Sequence, residues 1–267
     1  MNSPYIIEEN QDFAVVYKPP RMHTAAKNQD FFREPHEDKS LTDSENKFET
    51  LIEWYMNQSK NTQYIKLLHR LDYETHGLAL FARNEKSFHF LKTAQDNGDF
   101  IKEYSAICRL SFDESCFSAT SDKTLHSSLS GFPQPPVFSA NDLSREKPFV
   151  IESYFRPFGK GRKQVRPVIE DGKKHKETAK DKTDFYRTEI ININKNTVTA
   201  RIKRGFRHQI RCHLCWIGCP IENDPLYLQQ SLPDTLALRA HAVFFPDPAF
   251  SSSKNGKKLD FRISPLQ

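Results

Sequence analysis

The chain has 267 residues, of which 37% are hydrophobic and 27% are charged, so it can bury a core in one large domain or two small ones. No apolar run approaches the roughly 18 residues that span a bilayer, and the first residues lack the basic-then-apolar order of a secretory signal. Five cysteines do not form a regular disulfide framework. We therefore expect a folded cytoplasmic protein with no membrane partner.

The first part of the chain predicts short strands and two helices. Residues 5–7 and 13–17 are apolar stretches of strand length on either side of a polar turn. Apolar residues at helical spacing predict an amphipathic helix at 47–58. Residues 78–82 form a buried-strand candidate, and Asn84 is well placed to cap a helix that continues to about residue 96.

The second part of the chain contains more predicted strands than helices. Strands are expected at 101–110, 185–193, 197–203 and 236–245, with a helix at 208–217. Strands that follow one another along the chain usually pair antiparallel. The pattern predicts an α+β fold with a mixed, largely antiparallel sheet flanked by helices.

Polar and charged stretches predict loop insertions rather than linkers. The stretches are 26–46, 113–150 and 156–182, and no internal repeat or sharp linker divides the chain. We therefore expect one continuous domain over residues 1–267.

The positive charge is concentrated in residues 156–182, here called the basic segment. This segment has ten Lys and Arg residues against four acids, and 10 − 4 = +6 exceeds the net charge of +5 of the whole chain. Concentrated positive charge suits a polyanion, because each neutralised phosphate releases counterions. The alternative is a solvated lysine-rich loop with no partner.

Two segments contain side chains that are suited to chemistry. The first runs His69-Arg70-Leu71-Asp72-Tyr73-Glu74-Thr75-His76-Gly77 and leads into the predicted strand at 78–82. Its aspartate either belongs to an ion pair that fixes a loop or acts as a nucleophile or acid–base group kept ionised by a cation. The second runs from Arg204 to Leu214, followed by 218–227. Its cations and imidazoles start a polar helix or bring an arginine to a distant carboxylate.

A metal site is a competing interpretation of the second segment. Cys212, Cys215 and Cys219, with His208 and His213 nearby, have a spacing that can bind zinc or an iron–sulfur cluster. The three cysteines, however, fall on one stripe of the predicted helix, where cysteine behaves as a small apolar residue. We expect no bound metal.

Together these segments resemble the RluA-like family of RNA pseudouridine synthases. That family has a His-Arg-Leu-Asp-x-x-Thr-Ser-Gly stretch, a Lys-x-Tyr strand, a Gly-Arg-Thr-His-Gln-Ile-Arg-x-His-Leu stretch and a Gly-x-Pro-Ile-x-x-Asp-x-x-Tyr segment. The matching stretches occur here in the same order, at 69–77, Lys102-Glu103-Tyr104, 205–214 and 218–227, with further matches at Tyr17-Lys18-Pro19-Pro20 and Leu238-Arg239-Ala240-His241-Ala242. Two departures from the pattern involve three positions: His76 replaces serine, and Phe206-Arg207 replaces Arg-Thr.

The resemblance implies an isomerase that converts a uridine of structured RNA to pseudouridine. Asp72 would be the catalytic carboxylate, Arg211 would sit opposite it and favour its anionic form, and Tyr104 would stack on the uracil. Arg70 would enter the space that the flipped base leaves. The reaction is neither redox nor hydrolytic, so the resemblance implies no cofactor. It also implies that residues 1–267 form a single catalytic domain, and we expect no separate N-terminal RNA-binding module of the kind that some relatives carry.

The expected partner is ribosomal or transfer RNA, with no DNA, and the protein is expected to be a monomer. The residues expected to bind RNA are Arg70, His69, Lys102, Arg207, His208, Lys173, Lys174 and Lys176. An alternative is a non-catalytic RNA-binding or ribosome-assembly protein that keeps the fold. The presence of Asp72, Tyr104 and Arg211 together argues against it, because binding alone does not require that aspartate.

Overall fold

The computed structural model describes residues 3–26, 50–59, 64–109, 131–136, 148–169, 185–228, 234–250 and 257–266. The chain divides into two compact units, Met1–Ile101 with Ala240–Ser264 and Lys102–Arg239 with Pro265–Gln267. Within the described ranges, no helix is long and apolar enough to cross a membrane. The single catalytic domain stays a prediction.

The described residues contain eleven strands and three α-helices, besides two short 3-10 turns. In chain order they are β1 (Tyr5–Glu9), β2 (Phe13–Lys18), α1 (Leu51–Gln58), β3 (Lys66–Leu67), β4 (His76–Ala82), α2 (Glu85–Asp96), β5 (Ile101–Ile107), β6 (Phe149–Phe158), β7 (Gln164–Val168), β8 (Tyr186–Asn194), β9 (Thr197–Ile202), α3 (Gln209–Trp216), β10 (Leu238–Pro246) and β11 (Lys258–Arg262). All predicted strands and helices are present, with ends shifted by a few residues.

In the first unit, β2 and β4 are central strands that are buried on both faces. The strand order is β1-β2-β4-β10, with β3 paired to β4 and β11 paired to β10. Val15 and Leu80 pack on the face that Leu91 of α2 covers. Val16 and Phe81 pack on the opposite face with α1. Burial of both faces explains why these strands are continuous apolar runs rather than alternating patterns.

Side-chain caps fix the starts of the two helices in this unit. The Asn84 side chain accepts a hydrogen bond from the Ser87 amide at 2.8 Å, which confirms the predicted cap. The first helix begins at Leu51 rather than within 47–50, because the Thr50 hydroxyl accepts from the Glu53 amide at 3.2 Å. Residues 47–49 lie outside the described part of the chain.

In the second unit, the strand order is β5-β9-β8-β6-β7, and each neighbouring pair is antiparallel. The α+β class with a largely antiparallel sheet is therefore confirmed. The described residues correct two of the predicted loop insertions: 149–158 and 164–168 form a β-hairpin, whereas most of 26–46, 113–148 and 170–182 lies outside the described ranges. Pro167 is tolerated in β7 because that strand ends the sheet.

Candidate active site

Asp72 lies in the loop between β3 and β4 of the first unit. Its side chain is half-buried, and its carbonyl accepts a hydrogen bond from the Thr75 amide at 3.1 Å, which closes a tight turn. The next strand starts at His76, and Gly77 follows with φ of +126°. A Cβ at Gly77 would lie 2.1 Å from the Ala240 carbonyl oxygen, so only glycine lets β4 approach β10 here.

A buried lysine, Lys18, forms a hydrogen bond with the loop that carries Asp72. Lys18 has no exposed surface, and its Nζ donates to the carbonyls of Pro19 at 2.9 Å, Met22 at 2.8 Å and Tyr73 at 3.2 Å. Burial lowers the pKa of Lys18 from 10.5 to about 7, although the negative charges of Asp72 and Glu74 oppose that shift. The Tyr17-Lys18-Pro19-Pro20 match pointed to this residue without indicating its role.

A second anchor holds the residue directly before Asp72. The buried Thr24 hydroxyl donates to the Leu71 carbonyl at 2.7 Å and accepts from the Leu71 amide at 3.1 Å. The backbone amide and carbonyl of Leu71 therefore both form hydrogen bonds with the side chain of Thr24. Nothing in the sequence pattern distinguishes Thr24 from an ordinary loop threonine. These contacts fix the backbone on both sides of Asp72.

The side chains near Asp72 divide into exposed and buried groups. Arg70 is exposed, as its predicted role in entering the base stack requires. His69 is 7% exposed and its ring lies 5.3 Å from that of Phe100, and its contact with RNA stays a prediction. His76, which departs from the family pattern, is buried with its ring edge-on to Tyr17 at 6.4 Å.

In the second unit, Arg211 forms a buried ion pair with Asp224. Its Nε and Nη2 donate to the two carboxylate oxygens at 2.7 Å each, and the two side chains are 2% and 0% exposed. Burial alone raises the pKa of Asp224, but the charge and hydrogen bonds of Arg211 and the amides of Leu226 and Tyr227 outweigh it and lower the pKa. Asp224 was within a quoted motif but had no predicted role.

Strand β5 carries the remaining matched residues of the Lys-x-Tyr stretch. Tyr104 is 6% exposed and lies opposite Ala200 of β9. Lys102 is 2% exposed, and its contact with RNA stays a prediction. Glu103 forms an ion pair with Arg201 at 2.6 Å. Asp72 belongs to the first unit, whereas Tyr104 and Arg211 belong to the second, and the predicted cleft between them stays a prediction.

The second departure from the family pattern has a packing explanation. The Phe206 ring stacks on Phe155 at 5.2 Å with an interplanar angle of 8°, and it also contacts Tyr186. Arg207 is exposed, and its guanidinium donates to the carbonyls of Arg162 and Gln164 at 2.8 Å and 3.1 Å. Arg207 therefore holds the turn between β6 and β7. Its contact with RNA stays a prediction, as does that of half-buried His208.

A buried polar network fixes helix α3 against the sheet. His213 is fully buried, with Ser153 Oγ 3.0 Å from its Nε2 and Thr188 Oγ1 2.9 Å from its Nδ1. Burial lowers the pKa of His213 to about 3, so the imidazole is neutral at pH 7. Gln209 adds a hydrogen bond to Thr188 at 3.0 Å. These side chains orient the helix that carries Arg211.

Two cysteines of α3 and a third beyond its end contribute to the core. Cys219 follows the helix, which ends at Trp216, so the three cysteines do not share one helical stripe as predicted. Cys212, Cys215 and Cys219 are buried, and burial raises the pKa values of the Cys212 and Cys215 thiols well above their usual range. Cys212 and Cys215 pack in a cluster with Phe155, Val165 and Tyr227. Among the described residues, no group of three or more His, Cys, Asp or Glu side chains is arranged to hold a metal ion.

The described part of the basic segment, residues 156–169, comprises the end of β6, an exposed turn and β7. Lys160, Arg162 and Lys163 are exposed in this turn, and Arg156 and Arg166 face each other across the hairpin. Positive φ values at Gly159 and Gly161 let the chain reverse within a few residues. Lys173, Lys174 and Lys176 lie outside the described residues.

Comparison with known proteins gives the same family as the motifs. An uncharacterized RNA pseudouridine synthase of Helicobacter pylori is 29% identical over 180 residues, covering 66% of this chain and 57% of the relative. Ribosomal large subunit pseudouridine synthase D of Zymomonas mobilis subsp. mobilis is 22% identical over 200 residues, covering 73% of this chain and 51% of the relative. The chain spans about half the length of the curated relatives it matches.

The fold also matches a solved structure. Human RNA Pseudouridylate Synthase Domain Containing 1 aligns with a TM-score of 0.59 at 15% identity, covering 100% of this chain and 91% of that one. A family model described as RNA pseudouridylate synthase matches residues 12–216. Because this match spans more than half of the 267 residues, the chain belongs to the RNA pseudouridylate synthase family.

Proposed function

We propose that the protein isomerises a uridine of structured RNA to pseudouridine, with Asp72 as the catalytic carboxylate. The observation that carries the proposal is the placement of Asp72. It lies in the matched motif, partly exposed, on a turn that Lys18 and Thr24 hold from two sides. A carboxylate needs such a fixed backbone because small displacements from a reacting atom reduce rates strongly.

The chemistry requires a carboxylate near the ribose of the target nucleotide. The bond from C1′ to N1 of the base breaks, the base turns, and a bond from C1′ to C5 forms, while the proton on C5 is lost and N1 gains one. Breaking the glycosidic bond builds positive charge on the sugar, which a close anion stabilises or traps covalently. Asp72 would supply that anion.

Two residues of the second unit would assist in this proposal. Tyr104 would stack on the uracil, which recovers part of the cost of flipping the base out of the RNA. Arg211 would favour the anionic form of Asp72. Its bidentate pair with Asp224 holds the guanidinium in one orientation, which supports a positioned rather than a mobile cation.

A more specific part of the proposal concerns the class of RNA that is the substrate. We propose ribosomal or transfer RNA as the substrate, and the name of the Zymomonas relative favours ribosomal RNA. The exposed cations of the β6–β7 turn suit an RNA backbone. A cytoplasmic location and a monomeric state belong to the same proposal.

The test is to map pseudouridines in total RNA from cells with the gene, without it, and complemented with variants. A uridine modified only in the presence of wild-type protein identifies the target. Asp72→Asn should fail to restore it, because an amide cannot carry the required charge. Asp96→Asn, the same chemical change at an exposed site of α2, is the matched control and should restore it.

The same variants distinguish an enzyme from a binding protein. Purified Asp72→Asn should bind the target RNA yet lack turnover. Turnover within about tenfold of wild type would contradict the catalytic role of Asp72. Restoration of the missing pseudouridine by Asp72→Asn in cells would indicate that the protein acts only by binding RNA.

A further inference from the structure

The residue directly after Asp72 is an exposed aromatic that packs beside a second exposed ring. Tyr73 is 44% exposed, one of four large hydrophobic side chains in the described ranges that are exposed to this degree. Its ring centroid lies 4.6 Å from that of His23, which is also exposed, and the ring planes are tilted by 41°. Neither ring is needed for the core of the first unit.

The backbone beneath both rings is fixed. Lys18 Nζ donates to the carbonyl of Tyr73 at 3.2 Å, and the carbonyl of His23 accepts from the Leu51 amide at the start of α1 at 2.8 Å. A tyrosine has few rotatable bonds, so an anchored tyrosine loses little conformational entropy when it binds a ligand. The pair is therefore a preorganised aromatic surface beside the proposed catalytic carboxylate.

We propose that Tyr73 and His23 form a platform on which a base next to the target uridine stacks. Flipping one nucleotide out of an RNA structure leaves its neighbours without a stacking partner, and aromatic side chains commonly replace that partner. Consecutive Cα atoms are about 3.8 Å apart, so a base on Tyr73 belongs to a nucleotide close to the one that meets Asp72. This inference rests on the proposed function.

The proposed function, together with the exposed Arg70 three residues before Tyr73, favours RNA over a protein as the ligand. Arg21, two residues before His23, is also exposed and forms an ion pair with Glu74 at 3.8 Å. Cations beside an aromatic surface match a phosphate backbone with its bases. Because stacking tolerates every base, the platform would require an unpaired neighbour rather than one particular sequence.

The experiment uses a short stem–loop RNA that carries the mapped target uridine, with turnover measured over a range of RNA concentrations. Tyr73→Leu should raise KM by roughly 5- to 150-fold, the range that corresponds to losing one base–aromatic stack, with kcat almost unchanged. Tyr73→Phe keeps the aromatic face and should remain near wild type. Phe250→Leu removes an equally exposed ring, 50% exposed, from the same unit and is the matched control.

A second set of RNAs identifies the stacked base. Each nucleotide that flanks the target uridine is replaced in turn by an abasic nucleotide. At one flanking position, the loss of the base should raise the KM of the wild-type protein as much as Tyr73→Leu does, and should raise the KM of Tyr73→Leu no further.

Three results would overturn the platform. The first is a KM for Tyr73→Leu no higher than that for Phe250→Leu. The second is an abasic substitution that raises KM equally in the wild-type protein and in Tyr73→Leu. The third is a defect of Tyr73→Leu that is seen on ribosomal particles but is absent on naked RNA. The last result would assign the aromatic pair to a protein partner. Wild-type turnover in the same assay reports separately on the proposed function, so the platform can fail while the function stands.

Discussion

Arg211 and Asp224 meet in the interior of the second unit with two parallel hydrogen bonds of 2.7 Å each. The Arg211 guanidinium also lies 5.6 Å from the centre of the Tyr227 ring, and the amides of Leu226 and Tyr227 donate to the Asp224 carboxylate. A bidentate pair fixes the direction as well as the position of an arginine. The pair thus connects the Gly-x-Pro-Ile-x-x-Asp-x-x-Tyr segment to the helix that carries Arg211.

Asp224→Asn should destabilise the protein strongly. The substitution leaves a buried guanidinium without its full counter-charge, which typically costs about 3–5 kcal/mol of the free energy of unfolding. Urea unfolding at pH 7 measures this cost. In the double variant Arg211→Met with Asp224→Leu, no buried charge is left, so the loss should be smaller than the sum of the two single losses. Additive losses would contradict a coupled pair.

Tyr104 variants separate stacking from acid–base chemistry. Tyr104→Phe keeps the aromatic face and loses the hydroxyl, whereas Tyr104→Leu loses both. If stacking dominates, the phenylalanine variant should retain far more kcat/KM on the target RNA, because one base–aromatic stack is worth about 1–3 kcal/mol. Equal losses in the two variants would assign the contribution to the hydroxyl.

The elements that could be predicted from sequence are those whose pattern reflects local geometry. β4 and the Asn84 cap are examples, because a buried run and a helix cap each involve only neighbouring residues. β6 was not predicted because its inward-facing Ser153 interrupts the apolar alternation. The buried partner of that serine, His213 of α3, lies 60 residues later in the chain. β7 escaped because Pro167 suggests a loop until its edge position is known.

The candidate site likewise contains residues that a local sequence pattern predicts and residues that it does not. The motif identified Asp72, but the residues that hold its loop, Lys18 and Thr24, lie about 50 positions earlier in the chain. Sequence separation of this size hides a hydrogen bond from any local pattern. The burial of His69 and Lys102 could likewise not be predicted, because a motif records residue types and not side-chain exposure. Their contacts with RNA stay predictions.

Lys18 should make the stability of the protein depend on pH above neutrality. Its pKa falls from 10.5 in the unfolded chain to about 7 in the fold, so between these values the unfolded state binds more protons. The free energy of unfolding contributed by this residue therefore rises with pH from about 7 to 10.5, by at most about 1.4 kcal/mol per pH unit, and falls again as pH drops through that window.

Lys18→Met tests this dependence. The difference in unfolding free energy between wild type and Lys18→Met is measured in urea at pH 7, 8, 9 and 10, so that the titration of all other groups cancels. The difference should shift in favour of wild type as pH rises. The charged groups that act on Lys18 are Asp72 and Glu74, and both are kept in the two proteins. A difference that is constant with pH would contradict the lowered pKa of the buried lysine.

The basic segment should bind RNA phosphates without recognising the base sequence. Lys160 and Lys163 are exposed in the β6–β7 turn, and Lys173, Lys174 and Lys176 follow in the same segment. Replacing Lys160 and Lys163 with alanine should weaken binding similarly for all RNAs. The slope of log affinity against log salt should become shallower by up to about two units, and by up to about three for the alanine triple variant at 173, 174 and 176.

The matched control for the turn is the double variant Lys86→Ala with Lys92→Ala, which removes the same charge from exposed positions of α2. Its slope should equal that of wild type if contacts with phosphates, rather than net charge, set the salt dependence. Turnover at saturating RNA should barely change in any of these variants, because the chemistry is assigned to Asp72. Titrations of RNA affinity at several salt concentrations decide between the alternatives. An unchanged slope in the variant of the turn would mean that Lys160 and Lys163 are only solvated. An equal change of slope in the control would mean that overall charge sets the salt dependence.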